Sequence, residues 1–238
     1  MMYAWASQIE DVIYDSNGQH VLLKDTIFHP AVGGQPQDSG HISVKRVNLP
    51  IRSVSNTCDG HIAHTVDSDF DVTKLIGVNA AVHVNPTKRQ INSAYHTVGH
   101  LLAQVVIERL EMYELTVTNF CHQPNAAFVE FDSNGKGISL SSFVKRVQCA
   151  ANDERLANKK VTIKFNDSNY VNTAAKYASD ENQSNRTVQI DGFQPIYCEG
   201  THLTNLSLVQ AIHSLKLKTN KSKIRLYYGC TVQPVYSF

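Results

Sequence analysis

Two pairs of metal-ligating side chains, about a hundred residues apart, constrain the fold of this chain more than any other feature. His96 and His100 stand four residues apart, and so do Cys198 and His202. Imidazoles and a thiolate suit zinc by their softness, and four such groups complete a tetrahedron. If all four share one ion, the fold must bring two distant stretches of sequence together.

The first pair lies in a segment with helical periodicity. Residues four apart lie one turn above each other on a helix, so His96 and His100 can reach the same ion. A histidine pair at this spacing is also common in helices that bind no metal, and it is the second pair that favours a shared zinc. No glutamate follows His96 as it does in the zinc-protease helix, so that reaction class loses support. The apolar residues that set the period are Val98, Leu101, Leu102, Val105, Val106 and Leu110.

Several motifs resemble those of the AlaX family, the free-standing alanyl-tRNA editing proteins related to the editing domain of alanyl-tRNA synthetase. The segment 96–102, His-Thr-Val-Gly-His-Leu-Leu, is similar to the family's His-Thr-Ala-x-His-Leu-Leu. The segment 198–203, Cys-Glu-Gly-Thr-His-Leu, is similar to its Cys-Gly-Gly-Thr-His-Val. Residues 33–40, Gly-Gly-Gln-Pro-Gln-Asp-Ser-Gly, resemble the glycine-rich element of the longer members, and residues 128–132 and 224–229 resemble two core strands.

Three residues depart from the family's pattern. Gly99 stands where synthetase editing domains often have threonine, and Glu199 replaces a usual glycine. Ser39 replaces the threonine of the glycine-rich element and keeps its hydroxyl. Because Gly99 and Glu199 adjoin the ligand pairs, we expect them to reshape the pocket.

The resemblance implies a trans-editing hydrolase that deacylates mischarged alanine tRNA, chiefly the seryl ester and secondarily the glycyl ester. One zinc ion would be held by His96, His100, Cys198 and His202, and the first three would count as catalytic because the ion activates water or anchors the substrate. Four bound ligands close the tetrahedron, so His202 must yield, the coordination must expand, or the zinc is structural. Two other functions therefore stay open: a non-catalytic tRNA-binding protein with structural zinc, and a zinc hydrolase of small esters or amides.

The predicted substrate contacts lie in two segments. Thr116 and Thr118 alternate in a β-rich run, at the position where family members carry a substrate-contacting residue, although both also suit an ordinary strand. The glycine-rich element has no lysine after its glycines, which argues against a nucleotide-binding loop and leaves a plain turn or a substrate-bounding loop. The resemblance favours the latter, and its candidate residues are Gly33, Gly34, Gln35, Asp38 and Ser39. We interpret His29 and His122, each near a proline, as structural loop residues.

The pattern of turns and apolar runs predicts an α+β protein with two domains. Residues 1–85 read as short strands and predict a small β-barrel or sandwich. Residues 86–238 predict an α+β zinc-containing editing domain of the threonyl/alanyl-tRNA synthetase type, with a second helix at 140–158 capped by Ser141 or Ser142. The polar stretch 166–187 predicts a helix with loops or a flap.

The composition of the chain limits which binding partners and which cellular location we expect. A net charge of +1 over 238 residues gives no general attraction to nucleic acid. One basic cluster either meets the phosphates of the tRNA(Ala) acceptor end or is a solvated strand pair, namely Lys216, Lys218, Lys221, Lys223 and Arg225. Five scattered cysteines do not suggest a disulfide framework, and no obligate protein partner is evident. With no long apolar run and no basic start before an apolar block, we expect no membrane segment, no secretory signal and a cytoplasmic location.

Overall fold

The computed structural model of the chain describes residues 2–135, 142–165 and 186–234. The chain divides into two compact units, one formed by Met1–Val32 and Pro36–Arg89, the other by Gly33–Gln35 and Gln90–Phe238. The predicted boundary at residue 85 falls four residues earlier, and independent folding of the two parts stays a prediction. Within the described residues, none of the helices has both the length and the apolar character needed to cross a membrane.

The first unit is a closed six-stranded barrel, with strands β1 (Ala4–Asp15), β2 (Gly18–Leu23), β3 (Gly40–Val44), β4 (Val47–Asn56), β5 (Ile62–Val66) and β6 (Asn79–Val84). Its strands neighbour each other in the order β1-β2-β5-β4-β3-β6 and are antiparallel. Alternate residues such as Ile42, Val44 and Val82 are fully buried, because successive side chains of a strand point to opposite faces. The barrel predicted for the N-terminal part is confirmed.

The long helix α1 (Pro86–Gln104) begins at a proline rather than being interrupted by one. The Oδ1 atom of Asn85 accepts a hydrogen bond from the backbone N–H of Lys88 at 3.0 Å, which caps the first turn. Pro86 then occupies the first helical position, where its missing N–H costs nothing. A π-helical segment, Val105–Arg109, follows α1 directly.

Two antiparallel sheets and a second helix complete the second unit. Their elements are β7 (Thr116–Cys121), β8 (Phe128–Asp132), α2 (Phe143–Leu156), β9 (Val161–Phe165), β10 (Arg186–Ile190), β11 (Ile196–Tyr197), β12 (Val209–Asn220) and β13 (Lys223–Val232). The larger sheet has the order β12-β13-β8-β7, and the smaller has the order β11-β10-β9. The apolar side chains of α1 and of the larger sheet belong to one hydrophobic core, which includes Val98, Leu101, Val129 and Leu226.

The protein is thus of mixed α/β class, as predicted, but two local expectations change. Ser142 precedes α2 with a left-handed backbone (φ 56°) and makes no side-chain capping bond, so the prediction of a serine cap at this position is wrong. A capping side chain acts from an extended backbone, which Ser142 does not adopt. Ser141 and the polar stretch up to residue 185 lie outside the described residues.

Candidate metal centre

The four predicted ligands converge in the second unit. One ligand atom from each of His96, His100, Cys198 and His202 lies within 4.8 Å of all the others. The Sγ atom of Cys198 is 3.3 Å from Nε2 of His96 and 3.3 Å from Nε2 of His202. The structure therefore brings together residues that are 102 positions apart in the chain.

The local backbone explains the convergence. His96 and His100 lie one turn apart on α1, and their ring centroids are 4.9 Å apart. Cys198 and His202 lie in the loop that follows β11. Gly200 lets this loop approach the helix, because a side-chain carbon at this position would overlap the ring of His96.

Gln35 fixes the protonation of His96. The backbone N–H of Thr201 donates to Oε1 of Gln35 at 2.9 Å, so the atom that faces Thr201 must be the amide oxygen. The same oxygen lies 2.8 Å from Nδ1 of His96 and can only accept there. His96 therefore carries its proton on Nδ1, so Nε2 presents the lone pair with which an imidazole ligates a metal ion.

Thr97 fixes the protonation of His202 in a similar way. The hydroxyl of Thr97 donates its one proton to the carbonyl of Ser93 at 2.7 Å. It also accepts from the backbone N–H of Leu203 at 3.0 Å. At 3.2 Å from this oxygen, Nδ1 of His202 must be the donor, which leaves Nε2 unprotonated. The supporting hydrogen bonds of a zinc site are thus in place around two of its four donors.

Burial sets the electrostatics of the quartet. It raises the pKa of the Cys198 thiol to about 11 and lowers the pKa of His100 to about 4, the latter with a further contribution from Arg186. Both shifts disfavour charge in a desolvated pocket. A divalent cation reverses this preference at the thiol, because it binds the thiolate and releases the proton. The donor set and the neutral imidazoles fit zinc.

The chain is similar to known alanyl-tRNA editing proteins over most of its length, although no family model matches it. The alanyl-tRNA editing protein AlaX-M of Methanosarcina acetivorans is 26% identical over 232 residues, an alignment that covers 90% of this chain and 89% of the relative. The alanyl-tRNA editing protein Aarsd1-B of Xenopus laevis is 25% identical over 221 residues, which cover 90% of this chain and 50% of that protein. The alanine–tRNA ligase of Methanococcoides burtonii is 25% identical over 229 residues, which cover 24% of the ligase. These relatives support a likeness to the free-standing editing proteins of the AlaX family.

The glycine-rich element is divided between the two units. Gly33, Gly34 and Gln35 belong to the second unit, where Gln35 bonds His96 and a carbon added to Gly33 would lie 3.8 Å from that ring. This hydrogen bond to a predicted metal ligand is a role that the sequence did not indicate, and the predicted contact of Gln35 with the substrate stays a prediction. Gly34 has a φ of 72°, which favours glycine, and lies against Phe120.

Asp38 and Ser39, predicted in the same loop, have other partners within the barrel unit. Asp38 is fully buried and forms an ion pair with Arg89, whose Nε donates to it at 2.8 Å. The backbone N–H of His29 also donates to Asp38 at 2.6 Å. The carbonyl of Ser39 accepts from the backbone N–H of Asn85 at 2.7 Å. These contacts hold the loop, and a substrate role for either residue stays a prediction.

Thr116 and Thr118 both lie in β7, whose register with β8 shifts between Val117 and Asn119. Val117 belongs to the core that includes α1, so alternation places Thr116 on the opposite face of the sheet. Alternation does not carry through the register shift to Thr118. The hydroxyl of Thr118 donates to Glu130 at 3.1 Å and accepts from Lys223 at 3.2 Å. Substrate contact by either threonine stays a prediction.

His122 is the residue that sequence reasoning missed. Its ring stacks on that of His96 with centroids 4.2 Å apart, and it is 1% exposed. Burial, followed by the charge of nearby His100, holds the pKa of His122 well below its usual value. Its position after β7 gave no sign of this contact, because it depends on how the strand packs against α1.

Proposed function

We propose that this chain is an aminoacyl-tRNA deacylase that acts in trans on mischarged alanine tRNA. Its substrates would be tRNA(Ala) carrying serine or, secondarily, glycine, and the reaction would be zinc-assisted hydrolysis of the ester. The observation that carries the proposal is the quartet of His96, His100, Cys198 and His202 in a chain whose AlaX relatives align over nearly their whole length. Those relatives are named for alanyl-tRNA editing.

Zinc fits the quartet because all four donors are of the types it prefers and two have their lone pairs set by neighbouring groups. Bound there, the ion would supply a Lewis acid that polarises the ester carbonyl or activates water. The remaining contributions come from the chain itself. Gln35 and Thr97 orient the ligands, and burial of His96 and His202 keeps bulk water away from the reacting ester.

A tetrahedral ion with four protein ligands has no free position, and this bears on how the substrate binds. The hydrogen bond from His202 to Thr97 is the longer of the two supporting bonds, at 3.2 Å compared with 2.8 Å for His96 and Gln35. Of these two ligands, His202 is the one with the longer supporting bond, and its displacement would open the position that a catalytic or substrate-positioning role needs.

The hairpin of β12 and β13 presents a basic surface that suits the proposed tRNA partner. Lys216, Lys218 and Lys221 are exposed there, and Lys218 lies 5.2 Å from the ring centre of Tyr227. Exposed lysines beside an aromatic ring suit a phosphate backbone with stacked bases. A cytoplasmic location, where tRNA is charged, remains part of the proposal.

Deacylation of tRNA(Ala) charged with serine or alanine, with and without a chelator, tests the function. We expect chelator-sensitive loss of serine, recovery on adding zinc, and retention of alanine. Cys198→Ala should abolish turnover while tRNA binding persists, and Cys149→Ala, an exposed cysteine of α2, should behave as wild type. Loss of neither amino acid would favour the structural-zinc RNA-binding protein. Ready cleavage of serine esters without RNA would favour the small-ester hydrolase.

A further inference from the structure

In the described part of the second unit, one buried nitrogen of His122 has no hydrogen-bond partner. Nδ1 of His122 lies 2.8 Å from the hydroxyl oxygen of Tyr228. That hydroxyl donates its proton to the carbonyl of Tyr95 at 2.8 Å, so Nδ1 of His122 must be the donor to it. Nε2 of His122 is then an acceptor. Among the residues that the structure describes, none offers it a hydrogen bond.

An unpaired buried acceptor costs folding free energy, and such atoms call for a ligand or another partner. The ring of His122 is stacked between two others, with centroid distances of 4.2 Å to His96 and 5.2 Å to Phe120. The unpaired atom therefore belongs to a ring in direct contact with a proposed zinc ligand, where the aminoacyl group would be held.

Gly99 makes room for this ring. A side-chain carbon at Gly99 would lie 2.5 Å from Nδ1 of His122 and 2.7 Å from the hydroxyl of Tyr228. Both distances are too short for any real side chain. The imidazole of His122 thus occupies the space that a threonine at position 99 would need. Glycine at position 99 and histidine at position 122 therefore depend on each other.

We propose that Nε2 of His122 accepts a hydrogen bond from the side-chain hydroxyl of the seryl group, so that the site prefers serine to glycine. This inference rests on the proposed deacylase function. Serine would pair the buried acceptor, whereas glycine or alanine would leave it unpaired, and a site built to bond a hydroxyl discriminates strongly against analogues that lack it.

The surroundings of His122 favour a neutral donor over the α-ammonium group of the substrate. The described neighbours of its ring include His96, His100, Phe120, Tyr228 and the backbone at Gly34 and Gly99, and none of these carries a carboxylate. A buried ammonium group without a counter-charge is expensive, whereas a hydroxyl needs only its hydrogen bond. Nε2 of His122 is buried in this conformation, so the groups that cover it must shift before the substrate can reach it. Gly34 lies directly against the ring.

The test compares kcat/KM for tRNA(Ala) charged with serine and with glycine. For His122→Ala we expect the seryl value to fall about 10- to 100-fold, the usual effect of losing one buried hydrogen bond. The glycyl value should change less than about 3-fold, since no bond to the acceptor is lost. His122→Gln, which keeps an acceptor, should recover part of the seryl value. Gly99→Thr should act like His122→Ala, and His213→Ala, an exposed histidine of β12, should change neither substrate.

A second readout separates this inference from the proposed function. Binding of non-hydrolysable seryl and glycyl amides of the terminal adenosine is measured by calorimetry, with zinc content determined for each variant. If the wild-type protein prefers the seryl amide and His122→Ala removes this preference at unchanged zinc content, the inference is supported. Absence of hydrolysis in the same proteins would contradict only the proposed deacylase function. Equal losses for both amides, loss of zinc in His122→Ala, or no binding of either amide to the wild-type protein would overturn the inference.

Discussion

Replacing Gly200 by alanine should disable the metal centre through a single methyl group. The added carbon would lie under 3.0 Å from Cε1 and Nδ1 of His96, where real contacts of this kind are essentially never seen. Ordinary carbon contacts are about 3.5–4.0 Å, so the ring or the loop must move by more than about 0.5 Å. Metal–ligand distances tolerate only about 0.2 Å, so His96 is lost as a ligand.

The size of the effect follows from the energy of a four-ligand site. Structural zinc binds with roughly 10–16 kcal/mol, or about 2.5–4 kcal/mol for each of four ligands. The loss of one ligand therefore corresponds to an affinity decrease on the order of 100- to 1,000-fold. The decrease would be measured by competition with a chromogenic chelator at constant pH, and circular dichroism would verify that Gly200→Ala remains folded.

Thr204→Ala is the matched control, because it alters an exposed residue of the same loop that adjoins none of the four ligands. We expect its zinc affinity to stay within about 3-fold of wild type, since exposed substitutions have small effects. Wild-type zinc affinity in folded Gly200→Ala would show that the loop does not need to approach His96 as described, and would refute the reasoning.

Three further predictions concern the supports of the site and the barrel. Asp38→Ala leaves a buried guanidinium unpaired and should lower the free energy of unfolding by about 3–5 kcal/mol in urea titrations, whereas exposed Asp69→Ala should cost less than about 0.5 kcal/mol. Burial lowers the pKa of His64 to about 4, below its value in the unfolded chain. The contribution of His64 to the free energy of unfolding is therefore complete above pH ~6.5 and is lost as the pH falls towards 4. The free energy of unfolding should fall by about 3 kcal/mol across that pH range. A His64→Gln protein whose free energy of unfolding changes with pH in the same way would disprove the assignment. Thr97→Val removes the acceptor that orients His202 and should weaken zinc binding about 10- to 100-fold, so an unchanged affinity in a chelator titration would count against the proposed tautomer.

The ligand quartet could be predicted from sequence because each pair is local. A four-residue offset on a periodic helix fixes which side chains share a face, and ligand type does the rest. The supporting partners could not be predicted in this way. Gln35 and His122 lie far from the ligands in sequence, and their roles depend on which atom of each faces its neighbour. Only the packed structure decides that.

The serine cap predicted at Ser142 was wrong for a similar physical reason, because the sequence does not show the left-handed backbone that this residue adopts. For Asp38 the structure adds a role that the sequence did not indicate, the neutralisation of buried Arg89. A residue's type limits what it can bond, and its tertiary neighbours decide which bond is made.

The hydrogen bonds of Gln35 have a consequence for how the site is assembled. Gln35 and Thr201 are 166 positions apart, so Gln35 can orient His96 in its final arrangement only after the chain is available as far as Thr201. Contacts of such sequence separation form late, because the entropy of closing the loop must be met first. A C-terminal fragment that starts at α1 would keep all four donors but lack the acceptor that sets His96. Metal competence would then report that the N-terminal loop is present, and not merely that the ligand-bearing part has folded.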